Sequence, residues 1–210
     1  MGLFERKSTP ITSSYFSVGN ERSKVVIGLG NIGKKYAMSR HNVGFLNVDY
    51  SVEQNGGKWI EKKLLKCFTA EVRIGDKRVL FIKPTTLMNL SGNAVQAVKQ
   101  YYKIDIKDIL IIHDELALPF GSLRVRTGGS SAGNNGIKSV SAAIGEEYAR
   151  LRVGIANEHS KTEDAAAAFV LKNFSKTEQG HFKMMNGEVN SLITEFVFSD
   201  VLPADTRKFI

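Results

Sequence analysis

The stretch KVVIGLGNIGKKYAMSRHNVGF, residues 24–45, decides how the fold is read. It opens on an unbroken apolar run, Val25-Val26-Ile27, and breaks at Gly28. A β-branched run closed by glycine reads as a strand buried on both faces, and it is assigned to residues 24–29. The glycines Gly28, Gly30 and Gly33 also fit G-x-G-x-x-G, and Asp49 falls 21 residues after Gly28. In a dinucleotide-binding unit the third glycine opens a helix and the acid ends a second strand. Neither condition is met. Gly33 runs into KKYAMSRHN, which is polar and has no apolar stripe, and Asp49 lies inside FLNVDYSVE. There Val43, Leu46 and Tyr50 follow helical spacing, so a helix is expected to start near Asn42. The glycines are read instead as a tight turn that lets backbone come close to a bound substrate.

Outward from this stretch the pattern stays mixed. Residues 66–84 read as a hairpin turning at Gly75-Asp76, and residues 91–104 as a helix with Ser91 as N-cap. The apolar run of 108–116 is a second doubly buried strand. Residues 121–129 alternate, with Arg124 and Arg126 on one face and Leu123, Val125 and Thr127 on the other. A helix over 134–145, a strand over 150–156 with Arg150 and Arg152 on one face, and closing helices over 162–171 and 176–198 complete the chain. The expectation is an α/β class single-domain globule with a mixed central β-sheet flanked by helices. Residues 1–22, rich in Ser, Thr and charge without sustained periodicity, read as a flexible N-terminal extension before a domain spanning 23–210.

Bulk properties narrow the function classes. With 42% apolar and 24% charged residues in a 210-residue chain, a globular domain with a real core is expected. No apolar run reaches the length of a membrane span. The one cysteine, Cys67, excludes an internal disulfide, and a reducing cytoplasm is the expected compartment. A net charge of +8 favours an acidic partner, nucleic acid before a membrane surface.

Two other motifs compete for the chemistry. GSSAG, residues 129–133, formally matches a G-x-S-x-G nucleophile elbow, and Asp164 and His181 follow in the order a serine esterase needs. The strand before it carries two arginines where an elbow strand is apolar, so a Gly/Ser-rich loop before a helix is preferred. His113-Asp114 is an adjacent pair of the kind seen in metal phosphohydrolases, but neighbours on a strand point to opposite faces. His113 is therefore read as a structural histidine. With one cysteine and no H-x-x-x-H or H-x-H spacing, no metal and no cofactor are expected.

A different set converges better. GLGNIGKKY, SRHNVGF, PTTLMNLSGNA with IIHDELALP, and GGSSAGNNGIK each place a compact polar group at the end of an apolar element. In α/β sheets such groups meet in a cleft outside the strand ends. Its members are Asn31, His41, Asn89, Asp114 and Asn135. With these flanks the chain resembles the bacterial-type peptidyl-tRNA hydrolase family from about Lys24 to Phe209.

That resemblance implies a peptidyl-tRNA hydrolase, an enzyme cleaving the ester between a peptide and the tRNA 3′ end by direct attack of water. Its partner would be peptidyl-tRNA, its state a monomer, its compartment the cytoplasm, with no membrane attachment. It implies His41 as the base and Asp114 as the residue orienting it. Asn31 and Asn89 would partner the peptide and reacting carbonyl, and Asn135 the tRNA end or the water. Tyr36 and Met88 would line the site, and Arg124, Arg126 and Arg152 would meet tRNA phosphates. The chain departs from the family in its Gly-rich loop, with Ser131 and Asn134 where histidines are usual and Ala132 where glycine is usual. The runner-up is an RNA-binding protein that keeps the fold without the activity, as in plastid relatives that assist intron splicing. The complete histidine, aspartate and asparagine set favours the enzyme.

Overall fold

The computed structural model describes residues 23–160, 163–199 and 202–210. The expected N-terminal extension, residues 1–22, lies outside the described residues, as does the side chain of Asp164. In chain order the elements are β1 (Lys24–Gly28), α1 (Val43–Gln54), β2 (Ile60–Lys62), β3 (Cys67–Ile74) and β4 (Lys77–Pro84). They continue with α2 (Ser91–Tyr102), β5 (Ile109–Pro119), β6 (Ser122–Thr127), α3 (Asn135–Ile144) and β7 (Ala149–Ala156). Then come α4 (Glu163–Leu171), α5 (Lys176–Gly180), α6 (Phe182–Phe198) and β8 (Asp205–Lys208).

The strands form one sheet in the order β2-β3-β4-β1-β5-β7-β6-β8. Its centre, β4-β1-β5-β7, is parallel, and both margins are antiparallel. The parallel centre explains the continuous apolar runs, because helices cover both faces. Val26, Phe81, Leu110 and Ile112 pack with α1 and α6 on one face. Val25, Ile27, Ile82 and Ile111 pack with α2 and α3 on the other. Every residue of β1 is buried, as its sequence requires.

The chain leaves β1 towards the β2–β4 side and returns through α2 to β5 on the other side. The strand order therefore reverses at β1, and the crevice outside the carboxyl ends of β1, β4 and β5 is where such a sheet accepts ligands.

Gly33 takes the positive φ, 108°, of the expected turn, while Gly28, at the end of β1, makes a contact within the fold. A Cβ on Gly28 would lie 2.4 Å from the Gly44 carbonyl oxygen, and one on Gly44 would lie 2.4 Å from that of Ile112. Here close backbone approach seats α1 on the sheet rather than admitting a ligand. Ser91 also differs from expectation. It is the first residue of α2, and its hydroxyl donates to the Met88 carbonyl at 2.8 Å instead of capping the helix. The hairpin turn falls at Gly75-Asp76 as read.

Candidate active site

Five elements deliver polar side chains to the crevice. The loop after β1 brings Asn31, and a 3-10 turn, Arg40–Asn42, places His41 immediately before α1. A second 3-10 turn after β4, Met88–Leu90, carries Asn89, and β5 carries Asp114. Asn134 stands at the N-cap of α3.

His41 and Asp114 are joined between Nδ1 and Oδ2 at 2.8 Å, with side chains 12% and 3% exposed. Asp114 is held in turn by Asn134, whose Nδ2 donates to Asp114 Oδ1 at 2.8 Å and to its carbonyl at 3.2 Å. The Oδ1 of Asn134 accepts from the backbone N–H groups of Gly136 and Ile137, which caps α3. One amide thus ties a helix terminus to the carboxylate. Burial pushes the His41 imidazole down, but the Asp114 charge and hydrogen bond together outweigh it and leave the ring above its ordinary value. With Nδ1 committed to Asp114, Nε2 is the nitrogen left for a reactant.

Asn31 is fixed from both sides. Its backbone N–H donates to Asn42 Oδ1 at 2.8 Å, and Asn42 Nδ2 donates back to its carbonyl at 2.9 Å. Its own Oδ1 accepts the Met88 N–H at 2.9 Å. The Nδ2 donor of Asn31 has no partner among the described residues. Asn89 and Asn135 are exposed, and Tyr36 is half-buried on a 3-10 turn of the loop after β1. Met88 differs from the expected lining role: its side chain is 4% exposed and belongs to the core under α2 and α3. It reaches the crevice through its backbone N–H.

Two members, Asn42 and Asn134, are not among the site residues expected from sequence. Asn134 did carry a local signal, an asparagine directly before a helix. The bond from Asn42 to Asn31 had none.

The four arginines of β6 and β7 share one face, with Arg124 opposite Arg152 and Arg126 opposite Arg150. Their environments differ. Arg150 is 3% exposed and donates to the carbonyls of Gly129 at 2.6 Å and Ser130 at 2.9 Å. Arg152 pairs with Glu115 at 2.6 Å. Arg124 contacts Thr206 at 3.3 Å, and Arg126 is exposed.

The competing motifs do not assemble. Ser131 makes no hydrogen bond to a histidine among the described residues, and His181 lies against Phe120, 6.4 Å between ring centroids. His113 is buried, its Nδ1 donates to the Asp114 carbonyl at 2.8 Å, and burial pushes its imidazole down to about 4. Among the described residues no three His, Cys, Asp or Glu side chains gather as a metal site.

Fold and crevice define a one-domain α/β protein with a histidine–carboxylate pair at the reversal point of its sheet. A peptidyl-tRNA hydrolase family model matches residues 25–209. The peptidyl-tRNA hydrolase of Fusobacterium nucleatum is 42% identical over 187 residues, covering 89% of this chain and 95% of that protein. That of Rickettsia bellii is 42% identical over 154 residues, 73% of this chain and 82% of the relative. The crystal structure of the Acinetobacter baumannii peptidyl-tRNA hydrolase superposes with a TM-score of 0.79 at 30% identity, covering 85% of this chain and 91% of that one. The chain belongs to the peptidyl-tRNA hydrolase family, and its activity is the hydrolysis of peptidyl-tRNA.

Proposed function

We propose that His41 activates the water that cleaves the ester between the peptide and the tRNA 3′ end. The observation that carries this reading is the chain of contacts His41–Asp114–Asn134, which commits His41 Nδ1 and leaves Nε2 for a reactant, with Asn31 latched to Asn42, the next residue along the chain from His41. Nε2 takes a proton from water as the water oxygen attacks the ester carbonyl. Asp114 holds the Nδ1–H and stabilises the imidazolium that forms. Asn31 Nδ2, with Asn89, donates to the carbonyl oxygen as it gains charge. The tetrahedral intermediate collapses, the bond to the ribose oxygen breaks, and the imidazolium returns its proton to that oxygen. The products are the peptide carboxylic acid and free tRNA. No acyl-enzyme forms, so Ser131 has no covalent role.

Asn135 and Tyr36 border the crevice for the substrate's 3′ end. Arg124 and Arg126 line an open groove of about 400 Å³ suited to phosphates, with Arg152 beside them on β7. Contacts of this kind position a backbone without reading sequence and weaken with salt. In this reading the catalytic unit is residues 23–210, acting as a monomer. The compartment that fits this reading is the cytoplasm, where a single buried thiol such as Cys67 stays reduced. Among the described residues no helix is long and apolar enough to cross a membrane.

The test is turnover of an N-blocked aminoacyl-tRNA. His41→Ala is expected to lose about 10³-fold in kcat, the scale of a removed general base, while Ser131→Ala keeps its rate. An active His41→Ala beside a dead Ser131→Ala would sink this reading in favour of the nucleophile elbow. A wild type that binds tRNA and never cleaves it would favour the splicing-type protein.

A further inference from the structure

His41 sits on a turn, and turns do not hold a side chain to catalytic tolerance unaided. What holds this one is Arg40. Its guanidinium is buried, with the residue 4% exposed, and donates through Nη2 to both carboxylate oxygens of Glu178, at 2.9 and 2.7 Å. Nη1 donates to the carbonyls of Lys172 and Asn173. The ring of Phe169 lies 4.4 Å from the guanidinium carbon and that of Phe174 5.2 Å. The backbone repeats the connection: Arg40 N–H donates to Lys172 at 3.0 Å, Phe174 N–H donates to Met38 at 3.2 Å, and Ser39 bridges Asn173. Glu178 is itself immobilised by the capping box of α5 with Ser175 and by Asn157.

A buried ion pair is weak evidence for stability, because desolvating both charges cancels most of their attraction. What such a pair supplies is geometry: a planar guanidinium tied to the carboxylate through Nη2 and to two carbonyls through Nη1 fixes direction as well as distance. We propose that the Arg40–Glu178 pair is a positioning device for His41, holding the turn so that the imidazole meets Asp114 and presents Nε2 to the crevice. The inference rests on the reading of His41 as the base. Arg40 and Glu178 are positioning residues, acting on the reaction only through the backbone of the His41 turn.

Lys24–Asp108 supplies a matched comparison. It is a buried ion pair of 3.0 Å, with side chains 9% and 5% exposed, made from the first residue of β1 and therefore at the opposite end of that strand from the crevice. The experiment measures kcat, KM and the His41 Nδ1 proton resonance in wild type, Glu178→Gln, Arg40→Lys, Asp108→Asn and His41→Ala, below every melting temperature. Glutamine still serves in a capping box, so Glu178→Gln removes the charge and one acceptor oxygen while sparing α5. The expected result is a fall in kcat of about 10-fold with KM within about twofold, on the scale a misplaced reacting group costs. The His41 resonance, identified by its loss in His41→Ala, shifts or broadens with it. Asp108→Asn melts earlier yet keeps both kcat and the resonance. If Glu178→Gln does not fold, Arg40→Lys decides, since it keeps the charge and loses the planar, two-armed contact. Lowered kcat at unchanged KM supports the device, and wild-type kcat overturns it. Wild-type kcat and resonance in Glu178→Gln overturn it too, as does an equal fall in Asp108→Asn. An active His41→Ala would instead remove the reading of His41 as base, while a dead His41→Ala beside a normal Glu178→Gln removes the positioning role alone.

Discussion

Two glycine-rich stretches border the crevice, one from the end of β1 and one after β6, and they weight crowding and backbone conformation differently. In the first, Gly28, the last residue of β1, is required by crowding, because any Cβ would strike the backbone of α1, and only Gly33 by its φ of 108°. That loop is packed from below and latched by Asn42, so Asn31 has no freedom. In the second, the backbone conformation sets the requirement. Gly129 has φ 89°, where L side chains are strained, and the loop is pinned by Arg150 at one end and Asn134 at the other. Ala132 even holds φ 48° without being glycine. Similar composition therefore marks a rigid seat in one place and a tethered bridge in the other.

The two regions meet at Asp114, which takes His41 from the first and Asn134 from the second, so its substitution has the largest expected effect. Asp114→Asn should lower kcat by roughly 10⁴-fold, the loss known for an orienting carboxylate. It should also move the acid limb of the rate profile to lower pH. The reaction needs neutral His41, and Asp114 is what raises the imidazole against its burial. A raised folded-state value means that the pair stabilises the fold fully below the ordinary histidine value near 6.5. That stability is lost as pH rises through the folded value. The melting deficit of Asp114→Asn should accordingly be greater at pH 5 than at pH 8. An unmoved acid limb would separate Asp114 from His41.

The steric basis of the first loop is tested next. Gly28→Ala should cost about 3 kcal/mol or more, since the obstructing atom is backbone and cannot rotate away. Thermal or urea unfolding measures it, and a cost below about 1 kcal/mol would put the first loop in the same class as the second. For the second loop, Asn134→Ala removes the α3 cap and the bond to Asp114. It should lose about 1–2 kcal/mol of stability with a measurable fall in kcat. Stability lost at unchanged kcat would make Asn134 a cap alone. The smallest effect is Ala132→Gly, which relieves left-handed backbone worth about 1 kcal/mol. The greater freedom of glycine in the unfolded chain offsets part of that gain. A small rise in melting temperature is expected, and a fall would show that the loop's conformation carries no strain.

The central sheet was legible because its strands are buried on both faces and their composition says so: Val25-Val26-Ile27 and Ile109–Ile112 allow little else. The margins were not. β2 and β8 are short and carry Glu61, Lys62, Asp205 and Lys208, which look like loop until a partner strand supplies their hydrogen bonds. At the crevice, His41 and Asp114 were legible through the flanking motifs that carry the family resemblance, SRHNVGF and HDELALP. Their supports did not stand out, because an asparagine that latches a loop 11 residues away reads the same as one that ends a turn. The arginine alternation gave the shared face correctly, but only the packed structure distinguishes Arg150, spent on loop carbonyls, from exposed Arg126.

The place of β8 has a consequence for how the chain is made. β6 pairs with β7 on one side and with β8 on the other, and Asp205 emerges from the ribosome 83 residues after Ser122. At about 5–20 residues per second, β6 waits roughly 4–16 s with an open edge. Arg124 and Arg126 are part of that edge from the start, and charge on an unpaired strand discourages pairing with another chain.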